Sequence, residues 1–94
     1  MTPATQAARV REMLAAENPD ALTMDGFDDA LVGVARRCGQ PALAAYCRRR
    51  CIDVLKRDHG MATDEANEYF EHNCAGAWMG PNSPVVIEWP PEGG

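Results

Sequence analysis

The sequence predicts an α+β domain in which four helices pack on a minimal two-stranded antiparallel sheet. Three observations point there. Most of the chain is rich in helix-forming residues, and Pro and Gly punctuate it into four stretches. Val85-Val86-Ile87-Glu88-Trp89 is the one β-branched run and reads as a strand. A lone strand cannot satisfy its own backbone N–H and C=O groups, so the alanine-rich segment 42–46 is drawn in as its partner, pairing with 84–89. The 94 residues suit a single domain over 1–94. A chain of this size buries about 60–65% of its unfolded surface, enough for one modest core.

The elements follow in order. Thr2 is a good cap and Pro3 suits a first helical position. From there to Glu17 the residues favour helix, with a thin stripe of Val10, Met13 and Leu14 led by Ala7. Asn18-Pro19-Asp20 ends this helix, because proline disfavours a helical residue before it. Thr23 or Asp25 starts a second helix. Its residues Phe27, Ala30, Leu31, Val34, Ala35 and Cys38 fall at i, i+3, i+4, i+7, i+8 and i+11, and Gly39 is its C-cap. Cys47 to Asp58 is a third helix, with Cys47, Cys51, Ile52, Val54 and Leu55 inward, closed by His59-Gly60. Thr63 caps a fourth, with Asp64 and Glu65 favouring its positive end and Ala66, Tyr69 and Phe70 as its core face. Gly76 breaks it. Pro81-Asn82-Ser83-Pro84 is a turn-rich connector, and 90–94 is a frayed tail.

Net charge is −5, unevenly spread. Residues 1–35 hold two arginines and six acids. Residues 36–57 hold seven cations against Asp53 alone, a local charge of +6. Residues 58–94 hold seven acids and no Lys or Arg. One expectation is that these faces pair internally; the other is that one of them docks a partner. A pI of about 4.8 sets the summed field against direct contact with nucleic acid. No apolar run approaches the roughly 18 residues that a membrane span needs. Residues 1–5 lack the basic and apolar regions of a signal peptide. A cytoplasmic location follows, with Cys38, Cys47, Cys51 and Cys74 as reduced thiols.

Cysteine and histidine invite a chemical reading. Cys47 and Cys51 share a helix face, and with His72 and Cys74 they could make a four-ligand zinc site. Yet His72 and Cys74 diverge by about 200° on a helix, and no C-x-x-C occurs. Buried thiols acting as small apolar residues account for the pattern better. No G-x-G-x-x-G, P-loop or H-E-x-x-H is present. No catalytic residue, metal ligand or cofactor is therefore assigned, and the chain is expected not to be an enzyme.

Several fragments together carry a likeness: Phe27 to Ala35 with Tyr46, Ile52-Asp53-Val54-Leu55, Gly60-Met61, Glu65-Ala66 with Glu68-Tyr69-Phe70, and Asn73-Cys74-Ala75-Gly76-Ala77-Trp78 with Gly80 and Ser83-Pro84. Over about residues 25–88 the chain resembles a family of small, uncharacterised phage- and prophage-encoded proteins. It departs from the family's pattern at Cys47, where an Asp is usual, at His72, where an aromatic is usual, and in the alanines of 42–45. The resemblance implies a setting, an accessory protein of a phage or mobile element acting in a bacterial host. It carries no site residue across.

The function expected from these readings is to bind a host protein and inhibit or redirect it, as a defence-system antagonist such as an anti-CRISPR does. The host protein could itself bind nucleic acid, and carboxylates would then compete for its Arg/Lys groove. The candidate face is Asp25, Asp28, Asp29, Glu65, Glu68 and Glu71 with Trp78. The alternative is a small nucleic-acid-binding or regulatory module that uses Arg48, Arg49 and Arg50. Trp78 and Trp89 are expected either to plug the core or, where exposed, to anchor a protein interface, as the candidate face takes Trp78 to do. The thin N-terminal stripe also allows a homodimer.

Overall fold

The structure, a computed structural model, describes residues 3–75 and 80–90. Helix α1 (Pro3–Glu17) leads through an extended segment into a 3-10 turn (Asp28–Ala30) and strand β1 (Leu31–Ala35). A hairpin brings the chain back as β2 (Leu43–Cys47), which runs straight into α2 (Arg48–His59). Helix α3 (Thr63–Phe70) follows, extended by a π-helical turn (Glu71–Ala75), and β3 (Val85–Ile87) comes last. The sheet order is β1-β2-β3. β1 and β2 are antiparallel, whereas β2 and β3 are parallel.

The α+β class stands, but its expected layout does not. Among the described residues there are three α-helices rather than four, and a three-stranded mixed sheet rather than a two-stranded antiparallel one. The second helix expected from Thr23 or Asp25 to Gly39 is instead the 3-10 turn and β1. The reason lies in the register. Leu31 faces Tyr46 and Val34 faces Ala44, with a bulge between Leu31 and Gly33. A bulge places one extra residue on its strand. Three residues on β1 therefore span two on β2, and Leu31 and Val34 reach the same face although they are three apart. That spacing imitates a helix. The strand partner expected at 42–46 is real, but it pairs with β3 in parallel. A pair of strands joined by a long crossover, here through α2 and α3, can run parallel; only a short hairpin forces the antiparallel sense.

The core lies on one face of the sheet. Leu31, Val34, Ala44, Tyr46 and Val86 belong to it or pack on it, together with Ala7, Val10 and Leu14 of α1, Cys51 and Leu55 of α2, and Ala66 and Phe70 of α3. Met13, expected on the α1 stripe, is exposed instead. Asn18 ties three regions together. Its Nδ2 donates to the carbonyl of Ala42 at 2.8 Å and to Oδ1 of Asn82 at 3.0 Å, while its Oδ1 accepts from the backbone N–H of Asp20 at 3.3 Å. The residue that stops α1 also pins the entry to β2 and the loop before β3.

Helix ends follow local chemistry. Gly60 closes α2 at φ +65°, a conformation that glycine adopts without a Cβ penalty. Lys56, Arg57 and His59 occupy the last turn, at the negative end of the helix. Thr63 is the first residue of α3 rather than its cap; Ala62 holds that position, and Glu65 Oε1 accepts from the Ala62 N–H at 3.4 Å. The cap expected at Thr2, the break at Gly76, Trp78 and residues 91–94 lie outside the described residues.

Candidate functional site

Ion pairs join the basic middle of the chain to both acidic flanks. Arg36 pairs with Glu17, and within the first flank Arg11 pairs with Asp28 at 2.5 Å. Arg57 bridges Asp29 at 2.7 Å and its neighbour Asp58 at 2.7 Å. The two carboxylates push the Arg57 guanidinium up, and Arg57 in turn holds the Asp58 carboxyl below its ordinary value. These pairs are exposed, where water and salt screen them and each adds little to stability.

Arg48 is the most enclosed of these cations, its side chain 17% exposed. It starts α2 and lies over the Phe70 ring, 5.2 Å from the centroid. It pairs with Glu71, reaches Glu88 at 3.6 Å and donates to Asn67 Oδ1 at 3.2 Å. Phe70 also meets Phe27 edge-on, at 6.5 Å between centroids. Arg50 donates to Gln6 Oε1 at 3.2 Å, and Arg49 is also engaged within the chain. All three arginines of the basic cluster thus serve contacts of the fold.

The acidic candidates separate into two sets. Asp28, Asp29 and Glu71 are each held by an arginine. Asp25 is exposed in the turn ahead of the 3-10 segment. Glu65 and Glu68 lie elsewhere, on the outer face of α3. With Tyr69, His72 and Asn73 they line a shallow depression of about 270 Å³. The Glu68 carboxylate has no ion-pair or hydrogen-bond partner among the described residues. Tyr69, expected in the core, is 42% exposed in the middle of this group. Its neighbours reveal why: Glu65, at i−4, and His72, at i+3, are both polar, so its stripe of the helix faces water. That signal is present in the sequence. The structure does not bring Asp25, Asp28 or Asp29 to this depression, and Trp78 lies outside the described residues.

Of the two expectations for Trp89, the core plug fails: it is 61% exposed, just past the end of β3. Cys47 and Cys51 are buried thiols, and Cys38 is exposed in the β1–β2 turn. Among the described residues no group of three or more His, Cys, Asp and Glu is placed to hold a metal ion, and no helix is long and apolar enough to cross a membrane.

These features define a small α+β protein with arginine ion pairs across its surface and an acidic, aromatic outer face on α3. Comparison of the chain with family models, with curated proteins and with solved structures gives no match.

Proposed function

We propose that the protein is a small accessory protein of a phage or mobile element that docks on a basic surface of a host protein and blocks or redirects it. Antagonism of a host defence system, in the manner of an anti-CRISPR, is the concrete form of this reading. What supports it is the outer face of α3, where an exposed tyrosine stands among the carboxylates Glu65 and Glu68 beside His72 and Asn73. Tyrosine supplies apolar contact area at low conformational cost and is enriched where interfaces concentrate their affinity. Flanking carboxylates speed encounter with a cationic patch and discriminate against acidic partners. The setting comes from the likeness over residues 25–88. The contacts that Arg48, Arg49 and Arg50 make within the chain, Arg48 largely enclosed and the other two at the surface, speak against the nucleic-acid alternative.

The test is affinity capture from a bacterial host lysate at low salt, with wild type beside Glu68→Lys and Tyr69→Ala. A host protein retained by wild type, released by salt and lost with both variants supports the reading. Recovery of no host protein, or equal recovery by folded variants, removes it.

A further inference from the structure

A second surface lies on the other side of α3. The outer stripe of α2, the flank of α3 and the segment after β3 enclose an open groove of about 310 Å³. Ile52 forms its apolar floor, Asn67 contributes from α3, and Glu88 and Trp89 form the third wall. Arg48 holds that wall in place through Glu88 at 3.6 Å. Trp89 leaves a large aromatic surface in water at the groove's edge. Arg49, Asp53, Lys56 and Thr63 also line it; Arg49 is already engaged within the chain, whereas the side chains of Asp53 and Lys56 have no ion-pair or hydrogen-bond partner among the described residues.

We propose that this groove seats a second copy of the chain, in a two-fold dimer. The charge pattern selects the occupant. Asp53 and Lys56 are three apart on α2, so they lie on one face of the helix, one turn apart and opposite in sign. A cationic ligand would leave Lys56 unmatched, and an anionic ligand would leave Asp53 unmatched. A second α2 laid antiparallel, with the two-fold axis between these residues, matches both: Asp53 of each copy meets Lys56 of the other. A two-fold interface is self-complementary in this reciprocal way. The same dimer would cover the exposed Trp89 ring of each copy, an aromatic anchor at the edge of the groove. The surface is separate from the Glu65–Glu68–Tyr69 face, so the dimer would present two copies of that face.

Sedimentation equilibrium at about 100 µM chain tests the proposal in a range where even micromolar dimers are well populated. Wild type is expected to be a dimer, and Trp89→Ala to weaken association about 30-fold or more. Asp53→Lys places two lysines of each copy against the same pair in the other; Lys56→Asp places two aspartates there. Each variant alone is expected to be monomeric. An equimolar mixture of the two is expected to form a heterodimer, because every contact then joins opposite charges. Recovery in the mixture also shows that both variants are folded. Glu68→Lys is expected to leave the dimer unchanged, which separates this proposal from the acidic-face reading. A monomeric wild type, a dimer indifferent to Trp89→Ala, or a mixture that stays monomeric would overturn it.

Discussion

Tyr69 and Phe70 are adjacent in sequence and opposite in circumstance. Phe70 has no exposed surface, meets Phe27 edge-on and carries the Arg48 guanidinium on its ring. Tyr69, one residue earlier, is 42% exposed and surrounded by carboxylates, an imidazole and an amide. One helix thus presents a stabilising face and a presenting face, about 100° apart. Arg48 is what separates the two electrostatically. By pairing with Glu71 it takes one carboxylate of the α3 acidic run into the fold, while the Glu68 carboxylate stays without a partner among the described residues. Charge count alone does not identify an interaction surface; the carboxylates that matter are those the fold has not already neutralised.

The comparison breaks most visibly at Phe70. Phe70→Ala removes a fully buried ring from the junction of α2, α3 and the 3-10 turn and is expected to cost about 3–5 kcal/mol. That is a large share of the roughly 5–15 kcal/mol that stabilises domains in general. Urea unfolding checks it, and a loss under about 1 kcal/mol would show that the inner face of α3 is not a core element. Arg48→Ala comes next. It deletes a largely enclosed cation on an aromatic face, together with its links to Glu71 and Glu88, and is expected to cost about 1–2 kcal/mol. Arg37, exposed and with a guanidinium that has no partner among the described residues, is the control; Arg37→Ala should stay within about 0.5 kcal/mol. Equal losses at both positions would mean that Arg48 acts only through net charge.

Legibility from sequence divides along similar lines. The end of α1, the end of α2 and the start of α3 were readable because their punctuation is local: Asn18-Pro19, Gly60 and the acids after Ala62 each act on the nearest turn. The inward residues of α2 were readable because a regular helix keeps its phase. The segment 27–35 was misread because a bulge gives a strand the three-residue spacing of a helix, and the bulge exists only in register with β2. Val32-Gly33-Val34 carried the contrary signal, two β-branched residues around a glycine, all poor helix formers. The sense of β3 was not readable, since direction depends on how two intervening helices pack. For the candidate site, the acids could be counted from sequence, but their pairing across 17 or 28 residues, as in Arg11–Asp28 and Arg57–Asp29, could not.

A smaller effect sharpens the same contrast between a sealed and an open tyrosine. Tyr46 lies at the centre of the sheet with no exposed surface, its phenol oxygen accepting from the Met24 N–H at 2.8 Å. Burial pushes its phenol above the ordinary value of 10.0, because the phenolate would lose its hydration. The sign follows from linkage. The folded state holds this proton more tightly than the unfolded chain does, so the contribution is fully present below about pH 10 and is lost as pH rises through the higher folded value. In a Tyr69→Phe background the tyrosinate absorbance arises from Tyr46 alone. It should appear late and together with loss of tertiary structure. Ionisation at an ordinary pH with the fold intact would show that water reaches Tyr46.

The smallest expected effect on stability is the most telling for function. Tyr69→Ala removes a half-exposed ring that, among the described residues, shares its depression with Glu65, Glu68, His72 and Asn73. Surface substitutions of this kind shift stability by about 0.5 kcal/mol or less. Alanine also favours helix more than tyrosine does, which offsets part of the lost contact. Thermal unfolding of the variant should therefore nearly superimpose on that of wild type, while capture of a basic partner falls by tenfold or more, as loss of an interface aromatic does at about 1.4 kcal/mol per decade. A variant that unfolds several degrees early would place Tyr69 among the packing residues of α3. The two faces would then be one, and Glu65 and Glu68 would surround a structural tyrosine rather than an anchor.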